Sequence, residues 1–374
     1  MRQALELAAK GMDTLSNPRV GCVIVRNGKI IGSGWHESRG SAHAEAAAFE
    51  DVKTKGILER ARGATLYVTL EPCSHFGLTP PCATRIIEEG VSRVVIGMPD
   101  PNPKVGGEGI RILKDAGIEV LLIRECGEEG VKIEAECKWI NRGFIRYVTL
   151  NRPWVTIKAA VSLDGMTALS DGTSKWITGP EARAAAHELR AEHDGILVGM
   201  GTILKDDPEL TVRLAKGRSP VRVILDTRLN TPENSKVIGK GTIIICSKSA
   251  GGSEINSKKA ALEKMGARVA EVREENGRVS LKEALELLAS DIGIQRLLVE
   301  GGGTVHSSFI EGGFAESAAI FIAPKFLGQG ISVTSNLRVN NMEEAGKFSL
   351  RIVNTRLVGD DLLLDGIFRN APDL

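Results

Sequence analysis

Apolar residues along this chain recur with two alternating periods. Leu5, Ala8, Ala9 and Met12 fall at helical spacing, with Glu6 and Lys10 between them, which predicts an N-terminal helix over 2–12. Two apolar runs at 20–26 and 29–35 flank Asn27-Gly28, a pair suited to a tight hairpin turn because both residues tolerate positive φ. A helix is expected from about Ala42, then a strand over 64–70 and a helix over 82–89 closed by Gly90. A strand over 93–97, a helix over 110–116 stopped by Gly117 and a strand over 119–123 complete the series. This rhythm predicts a largely parallel sheet with helices on its faces.

A charged helix over 131–141 leads to a change of texture near 143–153, so the domains are placed at 1–146 and 147–374. The second half alternates again. Strands are expected over 154–160, 195–199, 221–226, 242–246, 296–299 and 318–322, and helices over 180–192, 257–265 and 281–290. The Gly/Ser-rich stretch 247–257 reads as a surface loop. The halves do not resemble each other, and the fold class is two unlike α/β domains.

Composition narrows the partners. Of 374 residues 42% are hydrophobic and 25% charged, which supports packed cores and excludes a disordered chain. Residues 1–150 carry 20 Lys+Arg against 19 Asp+Glu, and the remainder 28 against 28. Neither half has the basic excess of a nucleic-acid binder, so a small molecule is expected and nucleic acid is not. No apolar run approaches the roughly 18 residues of a membrane helix, and no signal-peptide pattern is present. A cytoplasmic protein is expected, in which Cys22, Cys73, Cys82, Cys126, Cys137 and Cys246 are metal ligands or buried apolar groups, not disulfides.

Three pieces of the first half belong together: His43-Ala44-Glu45, Pro72-Cys73 and Pro81-Cys82. One imidazole and two thiolates suit a Zn²⁺ ion, one per chain, and three protein ligands leave a fourth position for water. Zinc brings the pKa of such a water to roughly 7, and Glu45 is placed to move its proton to a leaving group. Cys82, after Pro80-Pro81, opens a helix whose positive end favours a thiolate. His75, inside the cysteine loop, is an alternative ligand, although its place suits substrate contact better. Cys22 lies in an apolar run and reads as core. The order H-x-E…P-C…C is the pattern of zinc nucleobase deaminases, here with eight residues between the cysteines.

With Asn17-Pro-Arg-Val-Gly-Cys-Val23, Gly34-Trp35-His36, Thr69-Leu-Glu-Pro-Cys-Ser-His75, Thr79-Pro-Pro-Cys82 and Asp100-Pro-Asn-Pro103, this half resembles the deaminase part of the bifunctional riboflavin-biosynthesis deaminase/reductase family. The resemblance implies a cytidine-deaminase-like αβα sandwich and a pyrimidine substrate bearing a phosphoribosylamino group. It places Asn17, His36, His75, Asp100 and Asn102 in the substrate pocket. The chain departs from the family pattern at Leu78, where Lys or Arg is usual, and at Ala46-Ala47-Ala48, where Val-Asn-Ala is commoner. Neither change touches the zinc ligands or Glu45.

In the second half, Gly199-Met200-Gly201 follows a strand, but Leu204 stands where a dinucleotide fingerprint needs its third Gly. Glu300-Gly301-Gly302-Gly303-Thr304 lies between an apolar strand and the helical run 305–311, where backbone N–H groups can hold a pyrophosphate. Lys158-Ala-Ala-Val-Ser-Leu-Asp-Gly165, Ser174-Lys-Trp-Ile-Thr178 and Asp206-Asp-Pro-Glu-Leu-Thr-Val-Arg213 resemble the reductase part of the same family. That part has a dihydrofolate-reductase-like fold and uses NADPH. The resemblance implies nucleotide contacts from Ala160, Trp176, Thr202, Asp206, Gly302, Gly303, Thr304, Val305, His306, Ser307 and Ser308. It implies substrate contacts from Ser174, Arg190, Leu210, Arg213 and Glu300. Arg190 and Arg213 are the residue types that bind a phosphate monoester. A homo-oligomer is expected.

Overall fold

The computed structural model describes residues 1–11, 17–75 and 80–374. Leu78, Thr79 and Met12, used in the sequence reading, lie outside the described residues. The chain divides into two compact units, one of residues 1–151 with Leu374, the other of residues 152–373.

The first unit contains α1 (Arg2–Lys10), β1 (Gly21–Arg26), β2 (Lys29–Trp35), α2 (Ala44–Thr54), β3 (Thr65–Val68), α3 (Cys82–Glu88) and β4 (Arg93–Ile96). It continues with α4 (Glu108–Asp115), β5 (Glu119–Leu122), α5 (Gly127–Ile140) and α6 (Arg142–Leu150). The expected boundary between 146 and 147 falls inside α6. Buried Gly143, Ile145 and Arg146 carry the helical period past it, and Asn151, left-handed at φ 50, ends the helix instead.

The five strands pair in the order β2-β1-β3-β4-β5. The β1–β2 hairpin turns on Asn27 and Gly28 at φ 50 and 70, as its sequence requires. The expectation of a largely parallel sheet is corrected, because β1 runs antiparallel to both β2 and β3, and only β3–β4 and β4–β5 are parallel. An alternation of strands and helices does not specify direction, and here α2 carries the chain from β2 across β1 to β3. Side chains alternate across the sheet. Val94 and Ile96 pack with Ala48, Phe49, Ile86 and Leu113 of α2, α3 and α4, while Val95 packs with Leu5 and Ile133 of α1 and α5. The result is a three-layer αβα sandwich. Gly34 lets β2 approach α2 closely, since a Cβ there would lie 2.4 Å from Ala48 N.

The second unit runs β6 (Trp154–Ser162), β7 (Met166–Leu169), α7 (Pro180–Glu192), β8 (Gly195–Gly199), α8 (Met200–Asp206), β9 (Val221–Leu225), β10 (Thr242–Ser247), α9 (Ser253–Lys264) and β11 (Arg268–Val272). It then runs β12 (Glu274–Glu275), β13 (Arg278–Val279), α10 (Leu281–Ser290), β14 (Arg296–Val299), α11 (Gly303–Glu311), β15 (Ser317–Ala323), β16 (Gly330–Ser332), α12 (Met342–Lys347), β17 (Leu350–Val358) and β18 (Asp361–Phe368).

Nine strands form one sheet in the order β11-β10-β9-β8-β14-β6-β15-β18-β17, parallel from β11 to β15 and antiparallel beyond. Its central strands are buried on both faces, which is why β8 and β10 read as unbroken apolar runs. Ile243 and Ile245 pack with Leu285 and Leu288 of α10 and Phe309 of α11, while Ile244 and Cys246 face Ile203 of α8 and Leu262 of α9. The loop expected over 247–257 is shorter than read. Ser253-Glu254 already forms the first turn of α9 behind Gly252, the acidic residue favouring the helix start.

Candidate active sites

The first site is assembled by two helix starts. His43 is the residue before α2, with an extended backbone and no capping bond from its side chain, so its ring is free. Cys82 is the first residue of α3, behind Pro81. Cys73 lies in the loop after β3. His43 Nδ1 stands 3.5 Å from Cys73 Sγ and 3.4 Å from Cys82 Sγ, and the three donor atoms lie within 4.8 Å of one another. Zinc bound tetrahedrally by nitrogen at about 2.0 Å and sulfur at about 2.3 Å holds such atoms about 3.5 Å apart, so the trio fits the ion.

Electrostatics separate the two sulfurs. The Cys82 thiol, His43 and the Cys82 backbone N–H, 3.3 Å from the sulfur, hold the Cys73 thiol well below its ordinary value. Cys82 is pushed up by Cys73 and by burial. Glu45, in the first turn of α2, is buried, and desolvation together with Cys73 raises its carboxyl to about 7. Cys22, Cys137 and Cys246 are buried as expected, exposed Cys126 is neither a ligand of this trio nor a core residue, and all six cysteines are free.

The residues expected in the substrate pocket fall into two groups. His36 donates from Nδ1 to Ala42 O at 3.2 Å, which leaves Nε2 to accept from Asn17 Nδ2 at 3.1 Å. Its ring meets that of His43 edge-on at 5.6 Å. In the second group Asp100 accepts from Asn102 N at 2.8 Å, and Asn102 from Lys104 N at 3.1 Å, two successive side-chain turns. Burial raises the Asp100 carboxyl, and the charges of Glu71, His75 and Cys73 all act on it, so it lies beside the metal loop. The residue that holds this loop was not anticipated. Buried Glu71 accepts from the N–H groups of Asp100 and Gly107 at 3.0 Å each and of Ile110 at 3.2 Å. A carboxylate directly before Pro72-Cys73 was the available signal.

The second site centres on Glu300, one residue past β14. Arg190 of α7 grips it through Nε at 2.8 Å and Nη2 at 2.9 Å, and Lys158 of β6 lies 3.6 Å from Oε2, the oxygen that Nη2 also meets. Burial alone would raise this carboxyl, but Lys158 and Arg190 outweigh it and hold Glu300 at about 2. The third nitrogen of Arg190 reaches Thr211 O at 3.1 Å. Its fork therefore holds Glu300, so two residues that the resemblance assigns to the substrate form one ion pair. Leu210 is buried and left-handed at φ 53, fixing the bend before Arg213. Arg213 is exposed and pairs with Glu209 at 2.7 Å.

Lys158 and His187 of α7 join this cluster without having been assigned to it. A lysine inside the buried strand WVTIKAAVS was the signal, since a buried charge needs a purpose.

The expected nucleotide contacts are spread over neighbouring strand ends. Val305 sits against Gly199 and Gly301, so the segments following β8 and β14 are neighbours. Gly302 caps α11, and a side chain there would meet nothing within 4 Å, leaving open space before the first N–H groups of the helix. Exposed Gly302 and Thr304 face outward, half-buried Val305 packs against the core, and Gly303, His306 and Ser307 are buried. His306 bonds to Val333 O and Ser307 to Gly303 O, so those two support the segment from beneath. Ser308 bonds to Thr304 O and accepts from Arg278. Thr202 and Asp206 are half-buried on α8, and Ala160 is half-buried on β6. Trp176 is exposed beneath the Arg183 guanidinium at 4.5 Å, not packed in a core. Among the described residues neither Trp176 nor Ser174 is joined to the Glu300 cluster by a hydrogen bond or ion pair.

Comparison with known proteins decides the family. Residues 1–98 match the cytidine and deoxycytidylate deaminase zinc-binding region, and residues 153–364 match the RibD C-terminal domain. The chain belongs to the RibD family. The riboflavin biosynthesis protein RibD of Aquifex aeolicus is 42% identical over 369 residues, covering 97% of this chain and 96% of its own. The RibD structure from Acinetobacter baumannii is 34% identical, with a TM-score of 0.83 over 98% of this chain and 97% of that one. A Thermotoga maritima structure described as a diaminohydroxyphosphoribosylaminopyrimidine deaminase/5-amino-6-(5-phosphoribosylamino)uracil reductase is 38% identical, with a TM-score of 0.82 over 98% and 97%. As a RibD protein, this chain is a bifunctional enzyme of riboflavin biosynthesis, with a zinc-binding deaminase domain followed by a reductase domain.

Proposed function

We propose that the first unit hydrolyses the amino group of 2,5-diamino-6-(5-phosphoribosylamino)pyrimidin-4(3H)-one, and that the second reduces the ribosyl group of the resulting uracil to ribityl with NADPH. The observation that carries the reading is the spacing of His43 Nδ1 from two sulfurs, 3.5 and 3.4 Å, beside a buried Glu45. The Thermotoga protein bears both activities in its description.

His43, Cys73 and Cys82 would hold the zinc, which when bound lowers the pKa of water so that a nucleophile exists at neutral pH. Glu45 takes the proton of the attacking water and returns it to the departing amine, so that water is consumed and ammonia released. Asn17 and His36 would meet the ring as one hydrogen-bonded pair and Asp100 and Asn102 as another, with Glu71 fixing the latter pair.

In the second unit NADPH, when bound, supplies the hydride that reduces the ribosyl carbon. Gly302 and Thr304 offer donors to its pyrophosphate, with Ala160, Trp176, Thr202 and Asp206 as further contacts. Arg190 and Lys158 keep Glu300 ionised, and Arg213, with Ser174 and Leu210, borders the substrate. Such a reduction would break the bond from that carbon to the ring oxygen, which would take up a proton to become a hydroxyl.

The six free cysteines suit a reducing compartment, and we place the enzyme in the cytoplasm. We also infer a homo-oligomer, since β17 ends the nine-stranded sheet as an edge with exposed Ile352, Val353 and Leu357. Following ammonia release and NADPH oxidation on the authentic pyrimidine nucleotide tests the central reading. Both signals are expected in sequence, and ammonia release without NADPH oxidation would overturn the second half of it.

A further inference from the structure

The donors around Glu300 are largely engaged. Arg190 uses Nε and Nη2 on Glu300 and Nη1 on Thr211 O, and Arg213 uses Nη1 on Glu209 and on Thr211 Oγ1 at 3.0 Å. One group in the cluster is different. His187, one helical turn before Arg190 on α7, is buried, and its Nδ1 accepts the backbone N–H of Arg213 at 3.0 Å. A ring nitrogen that accepts carries no proton, so the neutral imidazole has its proton on Nε2. Among the described residues no acceptor takes that N–H, and the atom is not one of the sealed, unsatisfied polar atoms.

Given the reductase reading, we propose that His187 is a substrate-binding residue, a neutral Nε2–H donor to the phosphate of the phosphoribosylamino group, set in its tautomer by the backbone of Arg213. The surroundings favour a neutral ring. Burial, then Arg190 and Arg213, push its pKa down to about 4, with Lys158 acting the same way and Glu300 opposing. Lys158, Arg190 and Arg213 face only Glu300 and Glu209, which leaves the cluster short of one anion. A phosphate monoester supplies it, with oxygens for an N–H from His187 and from the free side of Arg213. One residue, Arg213, then touches the ligand with its side chain and orients a second donor with its backbone.

The test compares H187L with H187Q in the full-length enzyme. Leucine has similar bulk with neither donor nor acceptor, whereas glutamine can accept from Arg213 N and still donate an N–H. In H187L the reductase KM for the phosphorylated substrate should rise about tenfold, the size of a lost hydrogen bond to a charged group, with kcat within about twofold. The dephosphorylated nucleoside should lose no more than about twofold in kcat/KM, and H187Q should regain most of the loss. Equal losses on both substrates, or an unchanged KM, would overturn the proposal. Should H187L not fold, H187N, too short to span both partners, is read in its place against H187Q. A wild-type enzyme that oxidises no NADPH on this substrate sinks the reductase reading itself. Wild-type turnover with an unaltered variant KM sinks only the role of His187.

Discussion

The two sites of this enzyme are built in opposite ways. In the first unit three side chains from two helix starts and one loop converge on a single point, with a buried carboxyl two residues beyond His43. In the second, Lys158, His187, Arg190, Arg213 and Glu300 come from two strand segments, a helix and an irregular segment, and each holds another. A point of convergence has no partial version, because two ligands do not make a closed site. A network degrades by steps, since Glu300, Arg190 and Arg213 each have more than one partner. Loss of one side chain should therefore be all-or-none in the first unit and graded in the second.

The sharpest break is expected at Cys82. In C82S zinc should fall from one per chain to a small fraction, and ammonia release with it, while NADPH oxidation on the deaminated substrate persists. Metal content by mass spectrometry decides the matter, and stoichiometric zinc in C82S would remove Cys82 from the ligand set. Glu45→Ala comes next. It should keep its zinc and lose deamination by about 10²–10⁴, the contribution typical of a positioned general acid–base. Wild-type ammonia release in that variant would mean the proton moves by another route.

These two predictions rest on features legible in the sequence, because a metal site leaves a local signature: His43 and Glu45 are two residues apart, and each cysteine follows a proline. The central strands were equally legible, since β8 and β10 are buried on both faces and have no polar position to interrupt them. Other features left no such mark. Along β17 seven consecutive residues are exposed, so the strand lacks the period that a one-faced core imposes. The start of α9 was hidden in a Gly/Ser-rich composition that also suits a loop. Glu71 acts on backbone N–H groups 29 to 39 residues away, and such partners have no residue type to read. The partner of Arg190 was hidden for a related reason: its residue type suits phosphate and carboxylate alike, and only the fold shows that Glu300 lies beside it.

Glu300→Gln probes the network. It leaves half-buried Arg190 and Lys158 without their anion, which should cost the second unit about 3 kcal/mol at neutral pH, while zinc content and deamination stay unchanged. The dependence on pH has a definite sign. Glu300 titrates near 2 in the folded protein against an ordinary 4.5, so its contribution is full above pH 4.5 and is lost as pH falls toward 2. The stability gap between wild type and E300Q, measured by denaturant unfolding, should be constant from pH 7 to 5 and narrow between pH 4.5 and 3. A gap that stays constant at low pH would show that the carboxylate is not held by these two cations.

The smallest effect is expected from Arg213→Ala, and its size separates the two designs most finely. Arg213 is exposed, and its pairing with Glu209 is a surface contact that contributes little to stability. Its backbone N–H, which orients His187, survives the substitution. The reductase KM should therefore rise only severalfold, with kcat, stability, zinc and ammonia release unchanged, because one of several anion donors is lost and the others keep their places. Were R213A instead to abolish reduction as completely as C82S abolishes deamination, the second site would also turn on one point, and the contrast between a convergent centre and a distributed one would fail.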